Sequence, residues 1–234
     1  MSRLIKVALL LGVLFGNATV SAQPFSFVAI GDAPYQMPEG VTQVERLIAR
    51  INRQQPAFTI HVGDIKNGHS RCDDAHMELI RKLFATFAQP LVYTPGDNEW
   101  TDCHRTDNGG YDPLERLARV REVFYPTPGM SLGRAPMQLD TQSADPKFTK
   151  FVENSRWEKS GVQFATLHVI GSNNNLQRNP AAANEYFERN AANVAWLNAT
   201  FARAVQGYRN FKCDTMSLIQ VVSTLQEGTA RVTG

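Results

Sequence analysis

The 234-residue chain has only three cysteines, no Cys-x-x-Cys pair, and five histidines of which His168 is the last. Without closely paired cysteines, a ribbon- or finger-type zinc site is excluded. Neither sign of charge dominates, with 24 lysines and arginines against 22 aspartates and glutamates, so no basic footprint points to nucleic acid. No internal repeat and no low-complexity tract interrupts the sequence, and 43% hydrophobic composition excludes a disordered chain. Long apolar runs are also missing. The longest, Val7 to Phe15, is far shorter than the ~20 residues of a spanning helix. Arg3 and Lys6 precede that run, and Val20-Ser21-Ala22 follow it before Gln23, the pattern of a secretory signal peptide over residues 1–22. A membrane anchor is the competing reading. Loss of Arg3 and Lys6 with the peptide leaves a formally neutral chain, expected to be secreted or periplasmic, with no membrane anchor and no nucleic-acid partner.

Against these absences stands one repeated feature. Gly-Asp occurs at 31–32, 63–64 and 96–97, each time ending an apolar run. With 16 Gly and 11 Asp in the chain, random order predicts roughly 0.75 such pairs. Phe25 to Ile30, Phe58 to Val62 and Leu91 to Thr94 read as strands. Between them, Val41, Val44, Leu47, Ile48 and Ile51, and then Met77, Ile80, Leu83, Phe84 and Phe87, recur at helical spacing. Strand, helix, strand, helix, strand predicts an α/β fold in which helices pack on a largely parallel sheet. Asp32, Asp64 and Asp97 are separated by about the length of one βαβ unit and so occupy equivalent places in successive units.

Those places lie beyond the carboxyl ends of the strands, where open α/β sheets bind ligands. Three converging carboxylates repel one another by several kcal/mol at an effective dielectric of ~20, and a cation resolves the conflict. For any one Gly-Asp pair, a helix cap or a turn is the simpler explanation. Three in register point to a metal or phosphate site.

The ordered motifs GDAPY (31–35), GDIKNG (63–68) and GDNEW (96–100) resemble the calcineurin-like metallophosphoesterases, whose signature runs GDxH, GDxxxxG, GN-H-D/E, a lone His and GHxH. The likeness covers roughly residues 25–110, with a weaker continuation through FATLHVIGSNNN (164–175). It implies a layered metallophosphoesterase-like fold over residues 23–210, a tail of another kind over 211–234, and C-terminal incompleteness, the chain being expected either to end early or to depart from the parental reading frame near Gly207. It also implies two divalent metal ions among Mn, Fe, Zn and Mg. Asp32 would bind the first, Asp64 would bridge, and Asp97 would bind the second in place of the family's Asn. Pro34 stands where the family has a ligand His, and Asn98 where it has the His that assists leaving-group protonation. No GHxH follows. Tyr35 is then a candidate phenolate ligand, Asn98 a candidate to orient phosphate, and Glu99 a candidate to hold a water or a ligand. An oxygen-rich set of this kind tilts toward Mn or Mg.

Other residues carry weaker expectations. Cys72 and Cys103 either join neighbouring loops as a disulfide or ligate metal, and the spacing favours the disulfide. His69 and His104 lie in loops beyond strand ends and are candidate ligands, whereas His61 and His168 sit in strand-like runs and read as packed residues as readily as ligands. Asn173 to Asn175 read as a polar loop. Residues 125–150 read as a long excursion, Trp196 to Ala202 as a helix and Ser217 to Val222 as a strand. The expected function is an exported metal-dependent phosphoesterase acting on small phosphate mono- or diesters. A non-catalytic metal- or phosphate-binding relative is the alternative, and a plain α/β domain with turn-forming aspartates the third. Oligomeric state is open.

Overall fold

A computed structural model describes residues 24–211 and 218–221. The expected signal peptide and most of the tail lie outside the described residues. Strands β1 (Val28–Ile30), β2 (Thr59–His61) and β3 (Leu91–Tyr93) form a three-stranded sheet in the order β1-β2-β3, parallel throughout. Helices α1 (Glu39–Gln54) and α2 (Asp74–Phe84) are the two crossovers. Asp73 caps α2 by accepting from the His76 N–H at 3.0 Å.

A second sheet departs from the largely parallel expectation. It comprises β4 (Asp140–Thr141), β5 (Ser155–Lys159), β6 (Val162–Thr166) and β7 (Leu218–Val221), with β4-β5-β6 antiparallel and β7 parallel to β6. Ser160 and Gly161, at φ 50° and 81°, turn the β5–β6 hairpin. Helix α3 (Pro113–Phe124) starts at an Asp112 cap, with proline in the first turn where its missing N–H costs nothing. Helix α4 (Pro180–Phe211) is much longer than the segment its sequence periodicity marked.

Because β2 alternates, its two faces enter different cores. On one side Val44, Ile48, Met77, Ile80, Phe84, Val120 and Phe124 join α1, α2 and α3 to the first sheet. On the other, Ile60 and Val92 meet Trp157 and Phe164 of the second sheet, with Phe58 between them. Packing on both faces explains why β1 and β3 read as continuous apolar runs.

His61 belongs to the helix-side core, its ring 4.9 Å from that of Phe84 and its Nδ1 accepting the Gly63 N–H at 3.2 Å. Burial lowers its pKa to about 4. The unfolded chain therefore takes up a proton near pH 6.5 that the folded one refuses, and stability falls as pH drops through the window from 6.5 to 4. Between pH 7 and pH 4.5 this histidine is expected to cost about 2–3 kcal/mol, measurable as the excess pH dependence of urea unfolding in wild type over His61→Gln.

Candidate carboxylate site

The turns after β1, β2 and β3 bring Asp32, Asp64 and Asp97 to one sheet edge. Asp32 and Asp64 share a left-handed backbone, at φ 57° and 56°. Aspartate visits this region at a cost and persists there when its surroundings over-determine it, as at functional sites. Here the Asp32 N–H donates to the Gly63 carbonyl at 3.1 Å, locking the first turn on the second. The second turn abuts the third so closely that a Cβ on Gly63 would lie 2.1 Å from Gly96 N, and one on Gly96 would lie 2.1 Å from Asp64 Oδ1. Only glycine permits this approach. The Gly in each pair thus serves proximity, and the Asp serves the edge.

Asp64 records the crowding. Burial, followed by the charges of Glu99 and Asp97 and, less, of Asp32, raises its pKa to about 9, against the opposing pull of the Asn98 N–H bond at 3.2 Å. Glu99 is buried beneath it, accepting from Tyr93 Oη and the Gly96 N–H, both at 2.7 Å, while Oε2 has no partner among the described residues. Its carboxyl is likewise pushed up by burial. Tyr35 donates to Asp32 Oδ1 at 2.5 Å, and burial together with that carboxylate holds its proton far above the usual phenol range. The structure thus places Tyr35 as a donor to Asp32, and a phenolate ligand would have to form against its surroundings.

Asn98 differs from its expected role in orientation. Its side-chain amide donates to the Lys66 carbonyl at 3.1 Å, so the group that meets the edge is its main-chain N–H. The reason is Lys66, whose buried ammonium binds the carbonyls of Asn67 and Asn98 at 2.8 and 2.9 Å and Asn108 Oδ1 at 2.6 Å. Cys72 and Cys103 form a disulfide across the same loops, which removes them as metal ligands. Lys66 in GDIK is a cation next to a motif aspartate, a signal sequence reading passed over.

The Asn-rich segment is a left-handed turn rather than a plain loop, with Ser172, Asn173, Asn174 and Asn175 all at φ between 48° and 66°. Arg189 of α4 holds it through Asn174 Oδ1 and O at 2.7 and 3.1 Å, and Thr101 holds Asn175 at 2.9 Å. The turn sets the Ser172 hydroxyl 2.7 Å from Asp97 Oδ2 and 2.6 Å from Asp102 Oδ1.

Each of the five imidazoles has one ring nitrogen bonded away from this edge, and Nε2 of buried His168 has no partner among the described residues. His61 is in the core, His168 is buried with Nδ1 2.8 Å from Glu153, and His76 bonds the Ile65 carbonyl. His104 bonds the Thr101 carbonyl, and His69 pairs with Asp107 at the surface. Among the described residues no three His, Cys, Asp or Glu side chains are arranged to close on one metal ion. The donors that do gather are carboxylate and hydroxyl oxygens, chemistry suited to a hard divalent cation, and the repulsion among the carboxylates around Asp64 is what a cation would relieve. Histidine completion of a two-metal centre has no counterpart among them. Comparisons of the chain with protein-family models, with curated proteins and with solved structures find no match, so the site is read from its own geometry.

Proposed function

We propose that the chain is a metal-dependent phosphoesterase of the calcineurin-like type, in which Asp32, Asp64 and Asp97, not closed on one ion as they stand, draw together on a divalent cation of the Mn or Mg class. The observation that carries this reading is the clustering of left-handed Asp32 and Asp64 with Asp97 at the carboxyl edge of a parallel sheet, crowded enough to push Asp64 to about 9. A bound cation supplies charge neutralisation for a phosphate and a polarised water. The chain's own contributions are the Lys66-held loops, the Asn98 N–H facing the edge, and Glu99 pressing from below. The buried disulfide suits the oxidising compartment that the leader pattern implies.

One observation favours a second reading, a module that binds cation and phosphate without turnover: each imidazole has one ring nitrogen bonded away from the edge. The test is thermal unfolding with and without millimolar Mn²⁺, alongside hydrolysis of p-nitrophenyl phosphate and its bis-ester. Stabilisation by 100 Kd of cation amounts to about 2.7 kcal/mol and should vanish in Asp64→Asn. Stabilisation with hydrolysis supports the enzyme, stabilisation alone supports the binding module, and neither returns the aspartates to the role of turn formers.

A further inference from the structure

A carboxylate edge carrying a cation still needs a group that recognises the phosphate, and neither Asn98 nor any imidazole supplies one. The 3₁₀ turn Thr101–His104, which follows the third motif, is bracketed by two guanidinium groups. Arg178 is turned inward, with Nη1 on the carbonyl and hydroxyl of Thr101 at 3.2 and 3.1 Å. Arg105 is different. Its side chain is 41% exposed, and Nη1 alone makes both of its contacts, to Asp102 Oδ2 at 2.9 Å and to the Gly68 carbonyl at 3.3 Å. Nε–H and Nη2 have no hydrogen-bond partner among the described residues.

The mounting is rigid. The Arg105 N–H donates to the Asp102 carbonyl, and its own carbonyl accepts from the Asn108 and Gly110 N–H groups, all three at 3.0 Å. The neighbouring Cys103 is tied to Cys72. Asp102, with its side chain 3% exposed, is the anchor: one oxygen holds Arg105 and the other meets Ser172, which meets Asp97. A continuous run of contacts therefore fixes an exposed guanidinium relative to the aspartate edge.

We propose that Arg105 is the anion-recognising residue of the edge, and that the edge in consequence takes phosphate monoesters in preference to diesters; the proposal rests on the cation reading above. The preference follows from counting oxygens. A planar guanidinium takes two oxygens in parallel hydrogen bonds. A monoester has three non-bridging oxygens, enough for the fork and the cation together. A diester has two, for which fork and cation compete.

The experiment compares wild type, Arg105→Gln and Arg105→Lys in saturating Mn²⁺, titrating inorganic phosphate by calorimetry and measuring turnover of p-nitrophenyl phosphate against bis-p-nitrophenyl phosphate. Loss of a charge-assisted fork is expected to weaken phosphate binding about ten- to hundredfold in Arg105→Gln. Arg105→Lys keeps the charge and the Asp102 pairing but not the fork, and is expected to fall between. Mn²⁺ should still stabilise both variants, and the monoester-to-diester turnover ratio should fall with phosphate affinity. Phosphate affinity in Arg105→Gln within twofold of wild type, with Mn²⁺ stabilisation intact, would overturn the proposal. If Mn²⁺ fails to stabilise even wild type, the cation reading is the one that falls. Phosphate titrated without metal then decides Arg105 separately, and equal or absent binding in wild type and Arg105→Gln overturns its role.

Discussion

Glu153→Ala is expected to cost about 3–5 kcal/mol in urea unfolding at pH 7. Glu153 is fully buried, its Oε1 2.5 Å from Arg121 Nη2 and 2.8 Å from His168 Nδ1, with Oε2 3.0 Å from Arg121 Nε. Burial opposes its charged form, but Arg121 and His168 outweigh burial and hold the carboxyl well below its usual range. Truncation leaves a guanidinium that is 19% exposed without its counterion. The damage is expected to reach the candidate site, because Arg189 bonds the His168 carbonyl at 2.6 Å and the same guanidinium grips the Asn174 turn that seats Ser172. A check on the mechanism is the double variant Glu153→Leu with Arg121→Met, which removes both charges and should recover most of the loss. If it unfolds as readily as the single variant, packing rather than the stranded charge is responsible.

Asp64→Asn is expected to have opposite signs with and without cation. The pKa of Asp64 rises from 3.8 in the unfolded chain to about 9 in the fold, so its contribution to stability is fully present below pH 3.8 and is lost as pH rises toward 9. In EDTA at pH 7 the variant should therefore be more stable than wild type by about 2–4 kcal/mol, allowing for partial solvent screening. The gain should shrink toward zero near pH 4. In Mn²⁺ the order should reverse or close, because only wild type gains from the cation. Unfolding curves at pH 4.5 and pH 8, each with EDTA and with Mn²⁺, give all four values. A variant less stable than wild type in EDTA at pH 8 would show that the carboxylates do not repel as their placement demands.

Helix α3 was legible and passed over: Asp112-Pro113 is a start signal, and Leu117, Val120 and Phe124 recur at helical spacing. Strand β5, by contrast, reads Ser-Arg-Trp-Glu-Lys and shows little alternation. Pairing with β4 and, across the Ser160-Gly161 turn, with β6 makes it a strand. The left-handed turn at Ser172 to Asn175 had a compositional hint, since asparagine tolerates that region best after glycine. What sustains four such residues in a row, however, is the grip of Arg189 and Thr101, each remote in sequence.

What the sequence by itself determined is local and periodic. Short apolar runs and helical spacing placed three aspartates at the ends of three parallel strands, and the cysteines of neighbouring loops were paired correctly. These follow because period and turn chemistry act over a few residues. Tertiary structure alone decided which polar groups face the edge and which are consumed beneath it. Asn98 turns to Lys66 and His168 to Glu153. A buried polar group must find a partner, and partners 15 to 32 residues away are within reach only once the sheets and α4 have packed.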